Sequence, residues 1–209
     1  MNAPHLLARD SDLYVIHKPA GWVVHPTQDA SMNDLVSWLE SAHGVAGASP
    51  VHRLDRETSG VVLLSPSAEL RAELGRFFAD EQVKKEYRAL VYGPTPAAKT
   101  LDKDLYDRRR KKALKAVTRF ETLERFVSCS YLRVWPETGR KHQIRQHLQQ
   151  AGHAIVGEQR YRPKKFLRVP GYVGRLWLHA HRLELPDGRV FEAPLAEELQ
   201  GQLELLRSL

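Results

Sequence analysis

His52-Arg53-Leu54-Asp55-Arg56-Glu57-Thr58-Ser59-Gly60, followed at once by Val61-Val62-Leu63-Leu64, is the stretch on which the reading of this chain turns. The second half is a short apolar run with a β-branched start, which reads as a buried strand. The first half sets one carboxylate between two arginines and closes on Thr58-Ser59-Gly60, a turn-forming group. Asp55 is therefore expected on a loop or short extended segment at the edge of a sheet, where functional side chains concentrate. In an extended segment Arg53 and Asp55 would leave the same side, because side chains alternate along a strand. A solvated surface cluster of Arg and Asp is the simpler account of the charge pattern alone, so the rest of the chain has to decide.

Upstream, Leu13-Tyr14-Val15-Ile16-His17 reads as a strand stopped by Lys18-Pro19-Ala20-Gly21, and Asp34 to Leu39 as a short helix. The Gly-rich segment from His43 to Pro50 reads as a loop leading into His52. Downstream, Ser65-Pro66 signals a helix start, and Leu70, Leu74, Phe77 and Phe78 recur at helical spacing as core residues. Val83 to Tyr92 reads as a strand ended by Gly93-Pro94, with Tyr87, Ala89 and Val91 on one face. Val117 to Phe126 and Cys129 to Trp135 read as an antiparallel pair. The sum is an α+β chain: one domain over 1–209, with a mixed, mainly antiparallel sheet flanked by helices and no repeat or low-complexity linker to divide it.

The 209 residues carry 32 Lys and Arg against 25 Asp and Glu, a formal charge of +7. Such a balance suits a polyanionic partner, whose phosphates reward basic side chains by releasing counterions. With Cys129 the single cysteine, an intramolecular disulfide framework is excluded, and so are thiolate-rich metal sites. The first ten residues hold no apolar signal-peptide core, and no run is long enough to span a bilayer. A soluble cytoplasmic protein without membrane contact is expected. His142 and His147 are five apart, off the i, i+4 spacing of paired helical ligands, and His179 with His181 lacks a third ligand by spacing. No metal is expected, and without a phosphate-binding Gly-rich loop or a dinucleotide fingerprint no nucleotide cofactor is expected either.

Two further clusters are basic. From Thr100 to Lys115 the chain includes Arg108-Arg109-Arg110-Lys111-Lys112, either a solvated loop or an arm that grips a phosphate backbone. In Pro136-Glu137-Thr138-Gly139-Arg140-Lys141-His142-Gln143-Ile144-Arg145-Gln146-His147-Leu148 a turn feeds a helix with Ile144, Leu148 and Ala151 on its apolar side and Gly152 at its end. Arg140, Lys141, His142, Gln143 and Arg145 crowd its first turns. A helix start already favours anions, so this cluster is expected to hold something negative.

Together these segments resemble the RluA-type family of RNA pseudouridine synthases. The resemblance lies in His52-Arg53-Leu54-Asp55 with Thr58-Ser59-Gly60, in Lys84-Lys85-Glu86-Tyr87, in Thr138 to Arg145 with His147-Leu148, and in Leu178-His179-Ala180. Lys18-Pro19-Ala20-Gly21 and Gly152-His153-Ala154-Ile155-Val156-Gly157 support it, and the motifs fall in the family's order from about Leu13 to Pro194. His17 stands where many relatives have asparagine, and Ala154 where proline is common. The additional N-terminal RNA-binding domain of many family members is not expected here.

The resemblance implies the pseudouridine synthase catalytic fold and an isomerase that cuts the bond from uracil N1 to ribose C1′, turns the base and rejoins it through C5. No atoms are gained or lost, so no cofactor is implied. Asp55 matches the family's catalytic aspartate, Arg145 the arginine paired with it, and Tyr87 the active-site tyrosine. Arg53 matches a residue that can enter the gap left by a flipped base. RNA contact is further expected at His52, Arg56, Arg140 and Lys141, although a surface salt bridge accounts for Arg56 equally well. The expected partner is transfer or ribosomal RNA, bound by a monomer. Gly139-Arg140-Lys141-His142-Gln143 and Ala20-Gly21-Trp22 look somewhat like the branch acting on transfer RNA. Two other classes stay open: a catalytically silent RNA-binding module of the same fold, and a metal-dependent nuclease or hydrolase.

Overall fold

A computed structural model describes residues 3–29, 31–107, 110–163 and 166–209. In chain order the elements are β1 (His5–Asp10), β2 (Leu13–Lys18), α1 (Leu35–His43), β3 (Ser49–Pro50), β4 (Ser59–Ser65), α2 (Ala68–Ala79), β5 (Lys84–Tyr92), β6 (Ala98–Leu101), β7 (Leu105–Asp107), β8 (Lys112–Leu114), β9 (Thr118–Arg125), β10 (Cys129–Pro136), α3 (Gln143–Gln150), β11 (Leu178–Glu184), β12 (Val190–Glu192) and α4 (Glu197–Arg207). The α+β class and the mainly antiparallel pairing are as the sequence implies. Among the described residues no helix is long and apolar enough to cross a membrane.

The chain divides into two compact units, Met1–Val83 with Ala180–Pro194, and Lys84–His179 with Leu195–Leu209. In the first, β2 pairs antiparallel with β1 and β4, and the order continues to β11, which also carries β12. All seven residues of β4 are buried, as expected for a central strand. The core of this unit joins Leu13 and Val15 of β2, Val61 and Leu63 of β4, Leu74 of α2, and Leu183. Ser67 caps α2, its side chain accepting from the Leu70 N–H, and Asp34 caps α1 in the same way through Ser37. Helix α1 runs on to His43 rather than stopping near Leu39, because Gly44 supplies the left-handed residue that ends it.

In the second unit β10 lies between β5 and β9, with β6 on the far side of β9. Trp177, Leu132, Phe120, Leu148 of α3 and Leu199 and Leu203 of α4 fill its core. Helix α3 ends as its sequence suggests. Gly152 (φ 88°) lets its own N–H bond Gln149 while the His153 N–H bonds Leu148, a Schellman arrangement. The basic segment after Thr100 is not a plain loop. Strands β7 and β8 form a hairpin in the register Leu105↔Leu114 to Asp107↔Lys112, anchored by the buried Leu105. The Asp107 side chain accepts from the Arg110 N–H, and Arg108 and Arg109 lie outside the described residues.

Candidate functional site

The Asp55 loop belongs to the first unit, and its geometry corrects the turn expected at Thr58-Ser59-Gly60. The Thr58 N–H bonds the Asp55 carbonyl at 3.1 Å, so the β-turn is Asp55 to Thr58, and Ser59 and Gly60 already belong to β4. Gly60 serves a different need. It sits at φ 125°, and a Cβ there would meet the Ala180 carbonyl oxygen at 2.1 Å, so only glycine lets β4 run this close to its neighbour. The Asp55 turn thus opens directly into a buried central strand, not a sheet edge.

Two side chains fasten this turn. Lys18 is wholly buried at the end of β2, and its ammonium donates to the carbonyls of Pro19 at 2.9 Å, Trp22 at 2.8 Å and Arg56 at 3.0 Å. Three carbonyl dipoles aimed at one ammonium supply charge-assisted hydrogen bonds in place of water. The Gly21 N–H reaches the same Arg56 carbonyl at 2.9 Å, so Lys18-Pro19-Ala20-Gly21 is the cradle of the motif loop. From the other side, His52 Nε2 accepts from the Leu63 N–H at 3.2 Å, and its ring stacks on Phe78 at 4.5 Å. His52, expected to meet RNA, thus also anchors the loop. Asp55 is half-buried between the exposed Arg53 and Arg56. Arg56 pairs with Glu57 at 2.6 Å on the surface, the salt-bridge alternative that the sequence left open.

His52→Phe isolates one of these fastenings, since phenylalanine keeps the stack but leaves the Leu63 N–H without its acceptor. The expected loss is about 1–2 kcal/mol, read as a lowered midpoint of urea unfolding. An unchanged midpoint would show that the hydrogen bond contributes nothing.

Tyr87, Arg140, Lys141 and Arg145 belong to the second unit. Tyr87 is half-buried on β5 opposite Val134 and packs against the core. The polar cluster at the start of α3, expected as a whole to face an anion, divides. Gln143 is buried and is a structural hub: its amide nitrogen donates to the Val117 carbonyl and Thr118 Oγ1, and its Oε1 accepts from Thr138 Oγ1 and the Arg140 N–H. Arg140 donates to the Lys115 carbonyl, whereas Lys141 is exposed. His147 spans Thr118 Oγ1 and the Lys103 carbonyl with its two ring nitrogens.

Arg145 is buried and forks onto Glu158, Nε to Oε2 at 2.6 Å and Nη2 to Oε1 at 2.8 Å. Glu158 also accepts from the backbone N–H groups of Arg160 and Tyr161. Tyr161 lies under the Arg145 guanidinium, 5.7 Å from its ring centre, and its hydroxyl meets His142 Nδ1 at 3.0 Å. Burial pushes the Glu158 carboxyl up, but the Arg145 hydrogen bond and the two backbone donors outweigh it and hold it below the usual carboxylate value. Gly157, just before Glu158, sits at φ 84°, and a Cβ there would fall 2.0 Å from the Arg175 carbonyl oxygen, so only glycine fits against that backbone. The sequence motif stops at Gly157, one residue short of this acid. Cys129 is buried, and that burial pushes its thiol up to about 11, which keeps it protonated and inert.

Residues 12–150 match the family model described as RNA pseudouridylate synthase. Ribosomal large subunit pseudouridine synthase D of Neisseria meningitidis serogroup B is 31% identical, across 97% of this chain and 61% of that protein. An uncharacterized RNA pseudouridine synthase of Chloroflexus aurantiacus is 36% identical, across 91% of this chain and 66% of the relative. Human RNA pseudouridylate synthase domain containing 4 superposes with a TM-score of 0.84 at 27% identity, covering 97% of this chain and 92% of the human one. This chain therefore belongs to the RluA-type family of RNA pseudouridine synthases. It spans about three-fifths of the length of the Neisseria relative.

Proposed function

We propose that this protein isomerises uridine to pseudouridine in structured RNA, with Asp55 as the catalytic carboxylate. The observation that carries the proposal is the Asp55 turn, the acid of the family motif held by buried Lys18 and by His52 at the mouth of β4. A fixed carboxylate suits a reaction that detaches and rejoins a base, since it can act as nucleophile or in proton transfer. The N1–C1′ bond breaks, the C5–C1′ bond forms, C5 gives up its proton and N1 takes one. Tyr87 is assigned to pack on the base near the C5 proton, and Arg145 to orient Asp55. Arg53, exposed beside Asp55, is assigned to fill the gap left by the flipped base, whose extrusion costs on the order of a few kcal/mol.

Ribosomal RNA is the favoured substrate, because the Neisseria relative is named as a large-subunit synthase. Transfer RNA is the second reading, favoured by Gly139-Arg140-Lys141-His142-Gln143. Mapping pseudouridine in both RNAs from cells with and without the protein decides. A ribosomal position that disappears supports the first reading, and a transfer RNA position supports the second. Loss of neither, with tight RNA binding retained, would overturn both in favour of a catalytically silent binding module.

The β7–β8 hairpin is assigned to the phosphate backbone. Changing Arg110, Lys111 and Lys112 together to glutamine is expected to weaken RNA binding. The slope of log affinity against log salt should fall by about two to three, close to one per contact. An unchanged slope would mean that these side chains are merely solvated.

A further inference from the structure

In the second unit, a cleft of about 390 Å³ opens between the end of β5 and the segment from Leu167 to Tyr172, a size in the range of small-ligand sites. Val156 and Val169, both buried, line it together with Tyr92, Arg168 and Tyr172. Phe166 sets its ring edge-on to Tyr92, with centroids 6.1 Å apart. Aromatic surface this open is unusual here: Phe166 is 60% and Tyr172 45% exposed. The platform is nonetheless built. The Pro170 carbonyl accepts from buried Gln202 at 2.9 Å, and Gln202 in turn accepts from the Trp177 indole. Burial holds the Tyr92 and Tyr172 hydroxyls above their ordinary values, so both rings stay neutral at physiological pH. The described residues of the segment leading into the cleft include three cations, Arg160, Arg162 and Arg168, and no carboxylate. Exposed aromatic faces interleaved with cations are what a single nucleic-acid strand requires: stacking for its bases and charge for its phosphates.

The geometry points to this cleft as a second RNA-binding site, which takes one unpaired nucleotide of the substrate by stacking its base on Tyr172 and Phe166 while Arg168 meets its phosphate. The inference rests on the proposed RNA substrate. It does not concern the target uridine. Tyr92 lies five positions beyond Tyr87 on β5, about 17 Å along the strand and on the opposite face, so the occupant is a flanking nucleotide. Its role is affinity and choice of RNA.

The test uses the whole protein and a fluorescein-labelled twelve-nucleotide oligouridylate, with affinity read by anisotropy and turnover measured separately as tritium release from 5-tritiated transfer and ribosomal RNA. Phe166→Ala with Tyr172→Ala is expected to weaken oligonucleotide binding about tenfold or more and to raise KM for RNA with kcat unchanged. Tyr172→Phe should bind like wild type, and Tyr172→Leu should not, because leucine keeps apolar bulk without a stacking face. Equal affinity of the leucine variant or of the double variant would overturn the site. So would a concentration-dependent dimer that the double variant dissolves while RNA affinity stays constant, since the occupant would then be a second copy of the chain. Aromatic-dependent RNA binding without tritium release would leave this site standing and remove only the isomerase reading.

Discussion

Asp55→Asn is expected to lower pseudouridine formation by at least about a thousandfold, toward the upper end of what a positioned acid or base contributes. RNA affinity should stay within about threefold of wild type, since one half-buried polar side chain replaces another of the same shape. The separation of the two effects follows from how the turn is held. Three of its fastenings are the Lys18 ammonium on the Arg56 carbonyl, the Thr58 N–H on the Asp55 carbonyl and the Leu63 N–H on His52. None of them uses the Asp55 carboxylate. An amide at this position can accept hydrogen bonds but is neither an effective nucleophile nor a base. Tritium release under single-turnover conditions gives the rate, and anisotropy with the same RNA gives the affinity. Turnover within tenfold of wild type would remove Asp55 from the chemistry. A matched fall in affinity and in melting temperature would instead make it a structural residue.

Local patterns carried much of this fold. The apolar runs Leu13–Lys18 and Ser59–Ser65 are strands because each is buried along its whole length, and such runs are legible without partners. The caps Asp34 and Ser67 and the stop at Gly152 are likewise decided within a few residues. What escaped local reading depends on distant chain. Ser59-Gly60 has turn composition, yet Gly60 is in a strand because the Ala180 backbone passes where a side chain would be. Lys18 looks like a surface cation before a proline, and only the fold brings the Trp22 and Arg56 carbonyls to its ammonium. At the start of α3 the crowding of polar residues suggested an anion site. Gln143 instead spends its amide on Val117, Thr118, Thr138 and Arg140. A single sequence does not distinguish a donor aimed at a ligand from one aimed inward, because both are polar residues beside apolar ones. Asp55, Tyr87 and Arg145 were singled out only by family resemblance, whereas Glu158 had no signal beyond the glycine before it.

Glu158 carries the second large effect. Glu158→Gln preserves shape but removes the charge that neutralises the Arg145 guanidinium, and that guanidinium is buried with only 8% of its side chain exposed. A buried cation that loses its counter-ion costs about 3–5 kcal/mol, which for a chain of this size lowers the melting temperature by about 10 °C. The cost belongs to a buried guanidinium stripped of the carboxylate it forks onto, not to any large net gain from the pair. The double variant Glu158→Leu with Arg145→Met should therefore recover much of the stability, while both lose activity on the proposed role of Arg145. The pH dependence has a definite sign. The folded carboxyl of Glu158 titrates below its ordinary value of 4.5. Its contribution is therefore fully present above the unfolded value and is lost as the pH falls through the lower folded one. Urea midpoints of wild type and Glu158→Gln should differ by a constant amount from pH 7 to about 5, and the difference should shrink progressively as the pH falls below the ordinary value of 4.5. Glu124 and Asp187 also titrate low beside arginines, but both are intact in the two proteins and cancel in the difference. A gap that did not shrink at all below pH 4.5 would mean that the ionised Glu158 carboxylate is not what stabilises Arg145.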